Sequence, residues 1–149
     1  GIAVIRVGAA TDIEMIEKKH RIDDALEAVR SAQEEGIVPG GGVALLRAIH
    51  NLEVETENDE QNLGVQIIFQ AAEEPLRQMC INAGESPDII IEQVKNQEFN
   101  WGYDFTTGKT TNLISSGIVD PAKVTRCALQ NAASVSSTLI TTNYAIVCQ

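Results

Sequence analysis

The stretch Gly36-Ile37-Val38-Pro39-Gly40-Gly41-Gly42 constrains this chain more than any other, because four of its seven residues are glycine. Three consecutive glycines leave no Cβ to block close backbone approach and take positive φ at little steric cost. Upstream lies a long, highly charged helical pattern, and downstream Val43-Ala44-Leu45-Leu46 opens an apolar one. Placed just before a helix, the loop leaves free N–H groups beside the positive end of a helix dipole, which suits an anion or a polar ligand edge. The same residues also serve as a flexible loop between helices whose first glycine is a C-cap. The stretch alone leaves both readings open.

With 149 residues the chain is long enough for one ordinary domain and a sizeable core. Its net charge of −10 is the wrong sign for a binder of phosphate backbones, so neither nucleic acid nor an anionic membrane is expected as a partner. No apolar run approaches the roughly 18 residues of a spanning helix, and there is no signal-peptide pattern. The first residue is Gly rather than Met, as expected of a piece of a longer chain. Three cysteines (Cys80, Cys127, Cys148) with no C-x-x-C fit a reducing compartment better than a disulfide framework. Cys80 and Cys127 sit in apolar helical patterns and read as small buried hydrophobes. His20 and His50 are isolated, so no metal site is expected.

In chain order, the β-branched run 2–7 predicts a strand. Thr11 or Asp12 then caps a helix running to about Glu35, with Asp12, Glu14 and Glu17 at its acid-favouring end. Ile13, Ile16, Ile22, Leu26 and Val29 give it only a thin apolar stripe, so it reads as a connector or surface arm. At 100° per residue Asp24 points nearly opposite Ile22, Leu26 and Val29, as a solvated acid does. A carboxylate so exposed can still act if another domain closes over it.

After the glycine loop, a short helix runs from Val43 to about Leu52, followed by an acidic turn at 53–60. The apolar-periodic segment 63–83 reads as two helices or one kinked helix, interrupted at Pro75, with Glu74 biased away from the helical region. It ends at Gly84. Ser86-Pro87 is a cap and a first-position proline that opens another short helix.

Residues 101–105 and 110–114 flank Thr107-Gly108-Lys109 and predict a hairpin. Gly108-Lys109-Thr110 invites a phosphate-loop reading, but five residues separate Gly102 from Gly108 where that motif has four, and no strong helix pattern follows. Asp120-Pro121 starts the clearest helix of the chain, with Asp120 as its N-cap and Val124, Ala128, Ala132, Val135 and Leu139 on its buried face. Capping leaves one carboxylate oxygen of Asp120 free for a ligand. Residues 144–148 predict a terminal strand. The fold class is therefore mainly α, multihelical, with a short hairpin and terminal strands.

The runs Val-Gly-Ala-Ala-Thr-Asp-Ile-Glu-Met-Ile-Glu-Lys-Lys (7–19), Arg-Ile-Asp-Asp-Ala-Leu-Glu-Ala-Val-Arg (21–30) and Glu-Glu-Gly-Ile-Val-Pro-Gly-Gly-Gly-Val-Ala-Leu (34–45) closely resemble group I chaperonins, the GroEL family. So do Pro-Leu-Arg-Gln (75–78) and Gly-Ile-Val-Asp-Pro-Ala-Lys-Val-Thr-Arg-Cys-Ala-Leu-Gln-Asn-Ala-Ala-Ser-Val (117–135), and the similarity covers nearly the whole chain in order. The resemblance implies the C-terminal third of a subunit. Residues 1–34 would be the returning segment of the intermediate (hinge) domain, a strand and a long helix. Residues 35–149 would be the second half of the helical, ATP-binding equatorial domain. The Gly-Asp-Gly-Thr-Thr phosphate and Mg²⁺ loop, and the apical domain that grips unfolded polypeptides and the co-chaperonin, would lie outside these residues.

By the same resemblance Gly41 approaches the ATP ribose and base, Ile118 lies near the base, and Asp120 contacts the ribose. Asp104, Phe105 and Thr106 stand where the bacterial pattern often reads Asn-Ala-Ala, a departure that backbone contacts to the base can survive. Asp24 matches the hinge carboxylate that positions the attacking water. The acidic turn is one residue shorter than the family alignment expects. The implied function is an ATP-driven protein-folding chaperone, an ATPase and isomerase of polypeptides. It would work as identical subunits in a double ring, in the bacterial cytoplasm or an organelle matrix, with the isolated 149 residues inactive. The competing expectation is a non-enzymatic helical module that binds partners through its apolar faces.

Overall fold

A computed structural model describes residues 1–147. Helix α1 (Asp12–Glu35) begins where Thr11 accepts a hydrogen bond from the Glu14 N–H and ends at Gly36, whose φ of 82° turns the chain out of the helix. No residue of α1 is buried, as a thin apolar stripe predicts. The strand expected at 2–7 does not form. Ile2 and Val4 are largely exposed, and Ala3, Ile5 and Val7 only line a cleft against Met15, Ile16 and Leu26 of α1. β-Branched residues supply strand propensity, but a strand needs a partner for its N–H and C=O groups.

Inside the glycine stretch lies a strand that periodicity did not reveal. Strand β1 (Ile37–Pro39) is followed by helices α2 (Val43–Ile49), α3 (Asp59–Ala71), α4 (Glu74–Ala83) and α5 (Pro87–Lys95). The 63–83 segment is thus two helices, parted at Ala72 and Glu73. Glu74 opens α4 instead of standing outside it, because Pro75 sits in the first turn, where no N–H is required. The acidic turn is shorter than expected, since Asp59 and Glu60 belong to the first turn of α3, where their charge is favourable. Ser86 precedes α5 as expected, but its hydroxyl makes no capping bond.

The hairpin forms as β2 (Trp101–Asp104) and β3 (Lys109–Asn112), antiparallel with Tyr103 opposite Thr110. Strand β4 (Val119–Pro121) returns to pair antiparallel with β1, Val38 opposite Asp120. That pairing overturns the expectation for Asp120. The helix α6 (Ala122–Ile140) starts one residue late, with Pro121 at the N-cap and no side-chain cap, so Asp120 is a strand residue. The face of α6 expected to be buried is not. Val124, Val135 and Leu139 are all more than half exposed, and α6 has no buried residue. Residues 144–147 are exposed and not a strand, and Cys148 lies outside the described residues.

One core gathers Val43 and Leu46 of α2, Leu76 and Cys80 of α4, Ile90, Ile91 and Val94 of α5, Tyr103 of β2, and Leu113. Full burial of each large apolar side chain contributes about 1.5–3 kcal/mol. Cys80 is buried as expected, whereas Cys127 is only half-buried. Helix α1 is attached to α6 mainly by charge: Arg126 grips Glu35 through two nitrogens, at 2.6 and 2.9 Å, Lys123 pairs with Glu34, and the Ala122 N–H donates to the Gly36 carbonyl.

Candidate functional site

The three glycines after Pro39 perform different tasks. The Gly40 N–H donates to the Ile118 carbonyl at 3.0 Å, and a Cβ on Gly40 would stand 3.1 Å from the Val119 nitrogen. The loop therefore lies flat against the entry to β4. Gly42 has φ 74° and ψ 6°, and a Cβ there would stand 2.8 Å from the Leu76 nitrogen, which holds the start of α2 against α4. Gly41, with φ 67°, faces the hairpin, where the Tyr103 carbonyl lies 3.8 Å from its Cβ direction. The helix dipole contributes little here, because α2 spans only seven residues and its first N–H is directed to the Gly40 carbonyl. What the loop offers a ligand is bare backbone at close range.

Asp120 is brought to this loop by the β1–β4 pairing. Its carboxyl is raised above the ordinary value by burial, and among the described residues no side-chain hydrogen bond reaches it. A cleft of about 310 Å³ beside it is walled by Gly42, Ala44, Leu45, Pro75 and Val124, and another of about 370 Å³ by Ala32, Gln33, Ile37 and Val119. A half-buried carboxylate without a partner, next to glycine backbone and apolar walls, can accept hydrogen bonds from a ligand's hydroxyl groups. Ile118 is half-buried and packs against the core beside the same loop.

The hairpin residues are arranged differently from one another. Both oxygens of Asp104 are engaged by its own turn: Oδ1 accepts from the Thr106 N–H at 2.9 Å and Oδ2 from the Thr107 hydroxyl at 2.8 Å. Those bonds, the Thr107 hydroxyl first, hold its carboxyl below the ordinary value. Phe105 packs against the core and meets Tyr103 edge-on, with ring centroids 5.0 Å apart. Thr106 is exposed at the tip. The Asp104 side chain is therefore structural here, and what the hairpin presents toward Gly41 is the Tyr103 carbonyl.

Asp24 is exposed on α1 in an open cleft with Ile13, Ile16, Glu17, His20 and Arg21. Asp23 faces the other way, toward the cleft under residues 3–7. Asp24 lines neither cleft beside Asp120. It stands about 12 Å along the helix axis from Ala32, at 1.5 Å per residue. The structure thus sets Ile118 against Gly40 and Asp120 opposite Val38, at the entry to the glycine loop, places the Tyr103 carbonyl by Gly41, and leaves Asp24 apart.

Two contributors escaped the sequence reading. One is Tyr103, through its carbonyl. The other is Arg47, a buried cation whose Nη2 donates to the carbonyls of Val94, Glu98 and Trp101. A single arginine in an apolar helical stripe was the available signal. Among the described residues no three His, Cys, Asp or Glu side chains converge as a metal site.

The model of the TCP-1/cpn60 chaperonin family matches residues 1–149. A solved structure, described as a group III chaperonin in the open state, superposes with a TM-score of 0.76 at 31% sequence identity. The match covers 94% of this chain and 30% of that one, so the chain spans less than a third of the length of that relative. A predominantly helical fold and a family match over the full length agree: the chain belongs to the TCP-1/cpn60 chaperonin family.

Proposed function

We propose that this chain is the part of a chaperonin subunit that holds the sugar and base of ATP, and that the whole subunit couples ATP hydrolysis to polypeptide folding. The observation that supports the reading is the meeting of the glycine loop with β4, in which the Gly40 N–H donates to Ile118 and Val38 pairs with Asp120, so that the acid comes beside the loop that carries Gly41. Asp120 would accept from the ribose hydroxyls, and Gly41, Ile118 and the backbone of 104–106 would border the base. The described residues offer no acidic cluster for Mg²⁺. By the family resemblance the phosphate loop and the Mg²⁺ ligands would lie in the remainder of the subunit.

In the hydrolytic step, water attacks the γ-phosphorus, the bond to the ADP oxygen breaks, and phosphate departs. Asp24 would orient that water and accept its proton after residues 1–34, the proposed hinge segment, swing toward the body formed by 35–149. Its exposure on α1 supports this role, because a carboxylate in a closed salt bridge could not be recruited. The subunits would form a double ring, with a co-chaperonin and unfolded polypeptides bound by an apical domain. The family resemblance implies the bacterial cytosol or an organelle matrix, and the cysteine usage suits a reducing compartment of that kind. A second reading, a helical interaction module without catalysis, is favoured by the exposed apolar faces of α3 and α6.

Calorimetry on the complete subunit tests the first reading. Replacing Asp120 by Ala removes charge-assisted bonds worth about 1.5–3 kcal/mol, so ATP affinity should fall roughly 10- to 150-fold. Unchanged affinity would remove Asp120 from the site and leave the interaction module as the better account.

A further inference from the structure

Val43 and Arg47 stand four residues apart on α2, so their side chains share one face of the helix. Both reach β2. Val43 packs so closely on Gly102 that a Cβ there would lie 2.8 Å from Val43 Cγ2 and 2.5 Å from Leu113 Cδ1. One turn further on, Arg47 Nη2 donates to the Trp101 carbonyl at 3.1 Å. The same nitrogen donates to the Val94 carbonyl in the last turn of α5 at 2.7 Å and to the Glu98 carbonyl at 2.9 Å. Its two N–H bonds are shared among three acceptors, while Nε is buried without a protein partner.

A buried cation held only by backbone carbonyls is an expensive way to fill space, since a hydrocarbon side chain would avoid the desolvation. What the arginine supplies is position. It gathers the end of α5, the connector at 96–100 and the first residue of β2 onto α2. Helix α2 is the direct continuation of Gly41 and Gly42, and β2 carries Tyr103, whose carbonyl faces Gly41. The α2–β2 seam therefore sets the gap between the glycine loop and the hairpin. We infer that Arg47 is a positioning residue for the nucleotide base: it fixes the separation of Gly41 from Tyr103 and the 104–106 turn, and with it the discrimination between bases. This rests on the nucleotide reading above.

The test uses the complete subunit and measures ATP and GTP affinities by calorimetry, with thermal unfolding alongside, for the parent, Arg47→Met, Arg47→Lys and Asp120→Ala. Loosening the seam should lower ATP affinity about tenfold in Arg47→Met and GTP affinity about threefold or less, on the scale of one or two lost hydrogen bonds. The ATP-to-GTP ratio then shrinks by at least about threefold. Lysine keeps the charge but not the reach or geometry of the guanidinium, so Arg47→Lys should fall between Arg47→Met and the parent. Asp120→Ala should weaken both nucleotides alike, because the ribose is common to them, and leave the ratio unchanged. A parental ratio in both Arg47 variants, together with weakened binding in Asp120→Ala, overturns the inference and leaves the nucleotide reading standing. Parental affinity in Asp120→Ala overturns both. If Arg47→Met does not fold, Arg47→Lys decides: an intermediate ratio supports the inference, and a parental ratio with a lowered melting temperature reduces Arg47 to packing.

Discussion

Replacing Gly42 by alanine tests whether the glycine loop is built by packing or merely by freedom of the backbone. Gly42 lies in the left-handed region, which costs an L-residue about 1–2 kcal/mol. Its Cβ would also stand 2.8 Å from the nitrogen and 2.9 Å from the Cα of Leu76, and 3.0 Å from the carbonyl carbon of Pro75. These are backbone atoms in the first turn of α4, and Leu76 is fully buried, so no rotamer change relieves the contact. Overpacking of this kind adds about 1–3 kcal/mol. Together they predict about 2–5 kcal/mol, a large share of the 5–15 kcal/mol that typically holds a domain.

Gly84 supplies the control. It has φ 76° and ψ 18°, nearly the same conformation, with nothing within 4 Å of its Cβ direction. Gly84→Ala should therefore cost only the backbone term, about 1–2 kcal/mol. Urea unfolding followed through Trp101, the sole tryptophan, and by circular dichroism measures both variants on one scale. Equal destabilisation within about 0.5 kcal/mol would show that α2 and α4 are not in the contact described, and the geometry of the loop would have to be redrawn.

Burial raises the Asp120 carboxyl, so the folded state holds its proton more tightly than the unfolded chain, and stability falls as pH rises through the folded pKa above 3.8. Asp120→Asn should then equal or exceed the parent in urea at pH 7 and lose that advantage near pH 3, and lower stability at pH 7 would contradict the unpartnered carboxylate. In the complete subunit, Asp24→Ala should still bind ATP and close its hinge, yet slow single-turnover hydrolysis by about 10²–10⁴-fold and linger in the co-chaperonin-bound state, while Asp23→Ala keeps most of the rate. Loss of rate in Asp23→Ala alone would move the role one residue. The exposed apolar side chains of α3 and α6, including Leu63, Ile67, Val135 and Leu139, should make the 149-residue chain bind a hydrophobic dye or self-associate. A dye-silent monomer in sedimentation would show that these faces are covered in solution.

The elements that could be read from the sequence are those whose signals are local. Thr11 before an acid-rich turn, Gly36 and Gly84 after helices, and Pro87 at a first helical position each act within one helical turn, and α1, α4 and α5 start or stop there. The hairpin is local too, and its tip is closed by the Asp104 carboxylate, a detail that the turn composition only hints at. Residues 2–7 misled because propensity was read as pairing. Asp120 misled for the opposite reason. Asp-Pro before an apolar helix has the form of an N-cap, but Val38 pairs with Asp120 from far upstream and draws it into a strand.

Three-residue strands show no period, so nothing around β1 or β4 announces the other. This non-local pairing is also what assembles the candidate site. Had Asp120 capped α6 as its local sequence suggests, a carboxylate oxygen would have been directed to the first turn of that helix. Displaced by one position into β4, the carboxyl keeps both oxygens free while the Gly40 N–H bond to Ile118 holds it beside the loop. The ribbon of two three-residue strands adds little stability by itself. Its consequence is positional, since it turns a helix cap into an acid at the edge of two clefts beside the glycine loop, and the conversion lies in the pairing, where neither segment alone could reveal it.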